Sequence, residues 1–214
     1  MKEIIKDLPE IFDEFADARK TGFMNVKKIK DQDIPVVGTY CTYFPQEVAN
    51  AMGIATVGLC STSDETIAEA EKDLPKNLCP LIKSSYGFGK TDKCPFFHFS
   101  DVVIGETTCD GKKKMYEMMS DFKDVYIMEL PNSQSADARE LWKKEVHKVV
   151  DFLEKRFDRK LTYEDLKKAI VMTNDIRRAR QELCEVMENE PTPVNGFDIH
   201  TVLNSNFYNF NKEA

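Results

Sequence analysis

Six cysteines, at positions 41, 60, 79, 94, 109 and 184, are the residues of this 214-residue sequence best suited to chemistry. No two stand as C-x-x-C, so zinc-knuckle and ferredoxin-type spacings are both absent. Position along the chain says more than spacing does. Cys109 lies in Gly105-Glu106-Thr107-Thr108-Cys109-Asp110-Gly111-Lys112-Lys113-Lys114, where the apolar run Val102-Val103-Ile104 ends and a helix-like segment begins. Cys41 follows the run Val36-Val37-Gly38-Thr39-Tyr40, and Cys79 precedes Pro80, a residue favoured in the first turn of a helix. A thiol placed just before a helix meets unpaired backbone N–H groups and the positive end of the helix dipole. Both stabilise the thiolate, the form that binds metal. Two readings follow. Three thiolates at one sheet edge could share a metal centre, or three small residues could fill tight turns.

The remaining candidates are weaker. Cys60 ends an apolar run and position alone does not exclude it as a ligand, whereas Cys184 sits beside Leu183 and Val186 within a helical pattern and reads as packing. Cys94 precedes Pro95 and the aromatic run Phe96-Phe97-His98-Phe99, which reads as a packed loop. His98, His147 and His200 read as structural or solvated. Glu47 and Glu106 lie near the candidate thiols and suit acid–base work, or equally the capping of backbone amides at helix starts. Neither G-x-G-x-x-G nor G-x-x-x-x-G-K-[ST] occurs, and Gly89-Lys90-Thr91 lacks the preceding strand and glycine of a phosphate loop.

Hydrophobic periodicity then supplies the elements that must position these residues. Ile4, Ile5, Leu8, Ile11, Phe12 and Phe15 recur at helical intervals over residues 4–19, and a second short helix is expected over 22–30. Strands are expected at 34–40, 54–59, 101–104 and 125–130. Between them come helices from Pro45 to Met52 (stopped by Gly53), from Ser63 to Asp73, from Cys79 to about 88, and over 111–122. Strands alternating with helices at this spacing imply βαβ units and a parallel sheet. Beyond Pro131 the strand signals cease, and two long helices are expected over 136–157 and 162–188, the second opened by Thr162 and Asp165 in a capping-box spacing. A short helix over 197–203 follows the break at Pro191-Thr192-Pro193. The fold class is thus α/β, a Rossmann-like parallel sheet flanked by helices.

Bulk composition narrows the function. A net charge of −7 argues against nucleic acid, whose phosphates demand a basic face. Lys112 to Lys114 form the one cationic cluster, able to attract an acidic partner or a substrate phosphate. No apolar run approaches the roughly 18 residues of a membrane span. The N-terminus mixes acids with apolar residues, unlike a signal peptide, so a cytoplasmic protein with reduced thiols is expected.

Assembled, three segments carry a resemblance: Gly38-Thr39-Tyr40-Cys41 with Pro45-Gln46-Glu47, then residues 74–88 from Leu74-Pro75 through Cys79-Pro80 to Gly87-Phe88, then residues 105–117 around Cys109. The chain resembles the cluster-bearing subunits of the 2-hydroxyacyl-CoA dehydratase family, which also contains benzoyl-CoA reductase subunits and double-cubane cluster proteins. The resemblance implies a low-potential iron–sulfur cluster, 4Fe–4S or a double-cubane 8Fe–9S type, held by thiolates at positions matched here by Cys41, Cys79 and Cys109. It implies an acyl-CoA substrate, a homologous partner subunit in a homo- or heterodimer, and an ATP-dependent iron–sulfur activator protein. In the dehydratases that activator delivers one electron, and the resulting ketyl radical expels the hydroxyl group. The double-cubane branch is linked instead to reduction of small molecules.

On this reading residues 1–31 form an N-terminal helical arm and 32–132 an α/β cluster-binding domain. Residues 133–214 form a helical linker segment toward a second α/β lobe that this sequence lacks, as expected of a fragment, a split subunit or a remnant. A non-catalytic α/β module with ordinary thiols is the reading from another class.

Overall fold

The computed structural model describes residues 17–205. Four strands, β1 (Val36–Thr39), β2 (Ala55–Gly58), β3 (Val102–Glu106) and β4 (Val125–Met128), pair throughout in parallel in the order β2-β1-β3-β4. Their helices, in chain order, are α1 (Ala18–Lys30), α2 (Gln46–Ala51), α3 (Ile67–Ala70), α4 (Pro80–Lys90), α5 (Pro95–Phe99) and α6 (Asp110–Met119). After β4 come α7 (Ala136–Phe157), α8 (Tyr163–Glu185) and α9 (Gly196–Ser205).

Parallel strands need covering on both faces, and the two inner strands are buried at every position, with only Thr39 and Glu106 polar among them. Val36 and Val103 look into a layer made with Val26 and Ile29 of α1, Ile82 and Tyr86 of α4, Phe96 and Phe97 of α5, and Met115, Tyr116 and Met119 of α6. Val37, Val102 and Ile104 look the other way, onto Val48 and Ala49 of α2 and Val149 and Leu153 of α7. The outer strands are only half covered, and Ile127 of β4 is 42% exposed.

Polar ties fix how these layers meet. Asp101 accepts the backbone N–H of Val36 at 2.8 Å and the Lys30 ammonium at 2.7 Å, joining α1 to the starts of β1 and β3. Arg159, in the turn between α7 and α8, donates to the carbonyls of Met52 and Gly53 at 2.7 and 3.2 Å. Gly53 holds φ +65° in the turn that stops α2, a conformation glycine adopts without strain. The Lys83-Ser84-Ser85 stretch of α4 is buried because it pins the loop after β2. Ser85 Oγ accepts from Ser61 N at 3.1 Å, Ser84 Oγ donates to Ser63 O, and Lys83 bonds Glu71 at 2.6 Å. Gly87 allows this approach, since a Cβ there would lie 2.3 Å from the Thr66 carbonyl oxygen.

Several boundaries differ from expectation. The first helix begins at Ala18, earlier than the expected 22, and the helical reading over 4–16 lies outside the described residues. Ser63 does not open a long helix. Its hydroxyl accepts from Glu65 N in a local turn, and α3 spans only four residues because the loop is held by α4 instead. The segment after Cys94 is not a loop but the short helix α5, started by Pro95 and closed by Ser100, whose hydroxyl returns to Phe96 O at 2.7 Å. Thr162 caps α8 as the spacing implies, accepting from Asp165 N at 3.1 Å.

Gly105 is the tightest point of the central strand, with the ring of buried Tyr116 lying 2.5–2.7 Å from where a Cβ would stand. Gly105→Ala should therefore lower the unfolding free energy by about 1–3 kcal/mol, read from the urea midpoint.

Candidate functional site

With β2 on one side of β1 and β3 on the other, the chain reverses its winding between β1 and β3, and a crevice opens beyond their carboxyl ends. Tyr40 and Cys41 leave β1 there, Cys60 and Ser61 leave β2, and Glu106 through Cys109 leave β3. Cys41 Sγ lies 3.4 Å from Thr108 Oγ1, next to Cys109. Cys109 is the N-cap of α6, and its sulfur accepts the backbone N–H of Lys112 at 3.4 Å. The first turn of α6 abuts the start of α4, since a Cβ on Gly111 would lie 2.6 Å from Ile82 Cδ1 and 3.1 Å from Leu78 Cδ1. Cys79, between Leu78 and Pro80, is the N-cap of α4 and is exposed. One run of contacts thus leads from Cys41 through Thr108, Cys109 and Gly111 to the Leu78-Cys79 turn.

Glu106 closes the floor of this crevice. It is fully buried, and its Oε1 accepts the backbone N–H of Phe44 at 2.6 Å, tying the loop after β1 to the end of β3. Burial pushes its carboxyl above the ordinary glutamate value, against the pull of the Phe44 and Tyr43 backbone amides. The Cys41 thiol is also pushed up by burial and, less strongly, by Glu106, while the Thr108 hydroxyl and Lys112 oppose the shift. Cys60, which donates to Tyr40 O at 2.6 Å, is raised by burial too. Burial again leads in raising Tyr40 and Tyr116.

Three buried polar atoms here lack a hydrogen-bond partner among the described residues: Glu106 Oε2, Lys112 Nζ and Tyr116 Oη. Each such vacancy costs about 1–3 kcal/mol unless water or a ligand meets it, so three together call for a further partner at this edge.

Of the five residues singled out by sequence, Cys41 and Glu106 lie together at this edge, Cys109 caps α6 beside the Thr108 that touches Cys41, and Cys79 stands at the α4 side. Glu47 does not join them. Its carboxylate is held by Arg177 of α8, which fixes α2 against that helix. None of the six cysteines forms a disulfide. Among the described residues, no three His, Cys, Asp or Glu side chains stand close enough to share one metal ion. A cluster makes a different demand, because each thiolate takes its own iron and the sulfurs need only ring a common space.

Sequence reasoning missed Lys112, Tyr116 and Thr108. It grouped Lys112 with Lys113 and Lys114 as a cationic patch, but only the latter two are exposed, paired with Asp110 at 3.2 Å and Glu117 at 2.8 Å. Lys112 is buried with its ammonium 4.2 Å from the centre of the Tyr40 ring. The spacing 112, 115, 116, 119 was the available signal, since it puts Lys112 on the inward stripe of α6 with Met115, Tyr116 and Met119. His98 stays at the surface against Asp92.

The family model for the 2-hydroxyglutaryl-CoA dehydratase D-component matches residues 41–214. A protein of Escherichia coli (strain K12) named dehydratase subunit YjiM is 55% identical over 212 residues. That match takes in 99% of this chain and 55% of the relative, so the chain spans about half the relative's length. No helix among the described residues is long and apolar enough to cross a membrane.

Glu106 allows a test of the crevice's burial. A carboxyl raised on folding binds its proton more tightly in the native chain, so the Glu106 contribution to stability is fully present at low pH and is lost as pH rises through the folded value. Glu106→Gln should flatten that fall, measured as the urea midpoint between about pH 4 and pH 8.

Proposed function

Since this chain belongs to the 2-hydroxyglutaryl-CoA dehydratase D-component family, we propose that it is an iron–sulfur subunit of a radical 2-hydroxyacyl-CoA dehydratase, acting as the N-terminal half of such a subunit. The observation that carries the reading is the run of contacts joining the Cys41, Cys109 and Cys79 turns at one carboxyl edge. Cys41, Cys79 and Cys109 are the proposed ligands. Their donor type fits, since all three are free thiols, Cys79 and Cys109 as the N-caps of α4 and α6 and Cys41 at the carboxyl end of β1, and buried polar atoms there lack partners among the described residues. A cluster bound there would supply one-electron reduction at low potential and a Lewis-acidic iron for a thioester carbonyl.

The chain's own groups divide the remaining work. Glu106 Oε1 orients the Phe44 amide and thereby the loop that presents Cys41. Its Oε2 is free to hold a proton, which the raised carboxyl favours, and to pass it to a group entering the crevice. Buried Tyr40 and Tyr116 keep water from the inner wall. Glu47 is assigned to holding α2 through Arg177 rather than to the reaction. An acyl-CoA substrate, a homologous partner subunit and an ATP-dependent iron–sulfur activator complete the proposal.

A second reading, a double-cubane reductase of small molecules, is favoured by Cys60, a fourth thiol at the same edge, hydrogen-bonded to the residue before Cys41.

Anaerobic reconstitution with ferrous iron and sulfide should give a broad visible absorption. Cys41→Ala, Cys79→Ala and Cys109→Ala should each lower it and the bound iron, with Cys184→Ala as an unaffected control. Iron content unchanged in the three variants would remove the ligand assignment, and twice the iron per chain together with a loss in Cys60→Ala would select the larger cluster.

A further inference from the structure

Lys112 has no task in the fold that accounts for where its charge sits. Its side chain is 6% exposed, and its ammonium has no hydrogen-bond acceptor among the described residues. The Tyr40 ring face at 4.2 Å offsets part of the lost hydration, though an aromatic face is a weaker host than water or a carboxylate. The nearest buried acid does not complete the pair, for Glu106 Oε2 is equally without a partner. Lys113 and Lys114, one turn-step away, reach solvent and acidic partners, so burial is particular to Lys112.

Its surroundings say what the charge is for. The backbone N–H of Lys112 already holds Cys109 Sγ at 3.4 Å. The ring beneath its ammonium belongs to Tyr40, which adjoins Cys41 and whose carbonyl accepts from Cys60 Sγ at 2.6 Å. One residue therefore borders three of the thiols at the carboxyl edge, by its amide on one side and its ammonium on the other. Thiols that bind metal give up their protons, so ligation brings several negative charges into a crevice that already contains Glu106. A cation fixed among them in advance offsets that charge where little water reaches.

We infer that Lys112 is a positioning residue whose buried ammonium serves as the counter-charge of the thiolate-bound cluster. The inference rests on the proposed iron–sulfur reading and deepens it. Unlike a ligand, Lys112 sets how much iron the site retains and how readily the bound cluster accepts an electron.

The test compares Lys112→Met, of similar length without charge, and Lys112→Arg, which keeps the charge. Without iron, Lys112→Met should melt no lower than the wild type, because it removes a buried charge that lacks a partner. After anaerobic reconstitution with ferrous iron and sulfide it should retain several-fold less iron. What cluster it retains should have a more negative midpoint potential, since removing a nearby positive charge makes reduction harder. Lys112→Arg should return the potential to the wild-type value. If Lys112→Met fails to fold or melts lower without iron, the ammonium belongs to the fold and the inference is overturned. It is overturned as well if Lys112→Met loads fully at the wild-type potential, or if Lys112→Arg behaves like Lys112→Met. A wild-type chain that takes up no iron instead removes the underlying reading, which separates the two failures.

Discussion

The bond between Glu106 and the Phe44 amide is the constraint on which the rest of the crevice depends. It joins the carboxyl ends of two adjacent parallel strands whose chains depart in opposite directions, and it does so with a fully buried carboxyl group. The loop after β1 has no regular structure of its own to hold Cys41 in place. Glu106 supplies that order from the neighbouring strand, and Thr108 adds a second contact to the sulfur itself. Behind both stands Gly105, whose missing side chain lets Tyr116 lie flat against the strand and seal the inner wall.

Much of the fold could be read from the chain because its signals are local. Val36-Val37 and Val102-Val103-Ile104 announce strands buried on both faces, and proline or glycine marks where α2 and α4 begin or end. What could not be read was contact-driven. The residues after Ser63 carry a helical pattern, yet most of them are held as turns because Ser84 and Ser85 of α4 bond across to Ser61, Ser63 and Thr66. Pro95 looked like a loop residue but opens α5, whose aromatic side chains are buried by α1 and α6.

The site was legible in part for a related reason. A thiol at the junction of a strand and a helix can be found by inspection, so Cys41, Cys79 and Cys109 stood out. Glu106 could be placed near them because it ends the same strand. Glu47 has a similar position in the sequence, but its partner Arg177 lies 130 residues further along and could not be anticipated. Lys112 failed for the opposite reason. Three consecutive lysines suggest a solvated patch, and only the helical phase of α6 reveals that the first turns inward. The match to the 2-hydroxyglutaryl-CoA dehydratase D-component begins at residue 41, at the first of the three thiols, and runs on through α7 and α8.

Thr107 and Thr108 deserve to be taken together. Thr107 bonds toward β4, donating its amide to Met128 O at 3.1 Å and accepting from Leu130 N at 2.8 Å, while Thr108 faces the other way, to Cys41. Thr107 thus ties the end of β3 to the edge strand while Thr108 ties it to the sulfur. One dipeptide therefore sets the spacing between a half-covered strand and the innermost thiol.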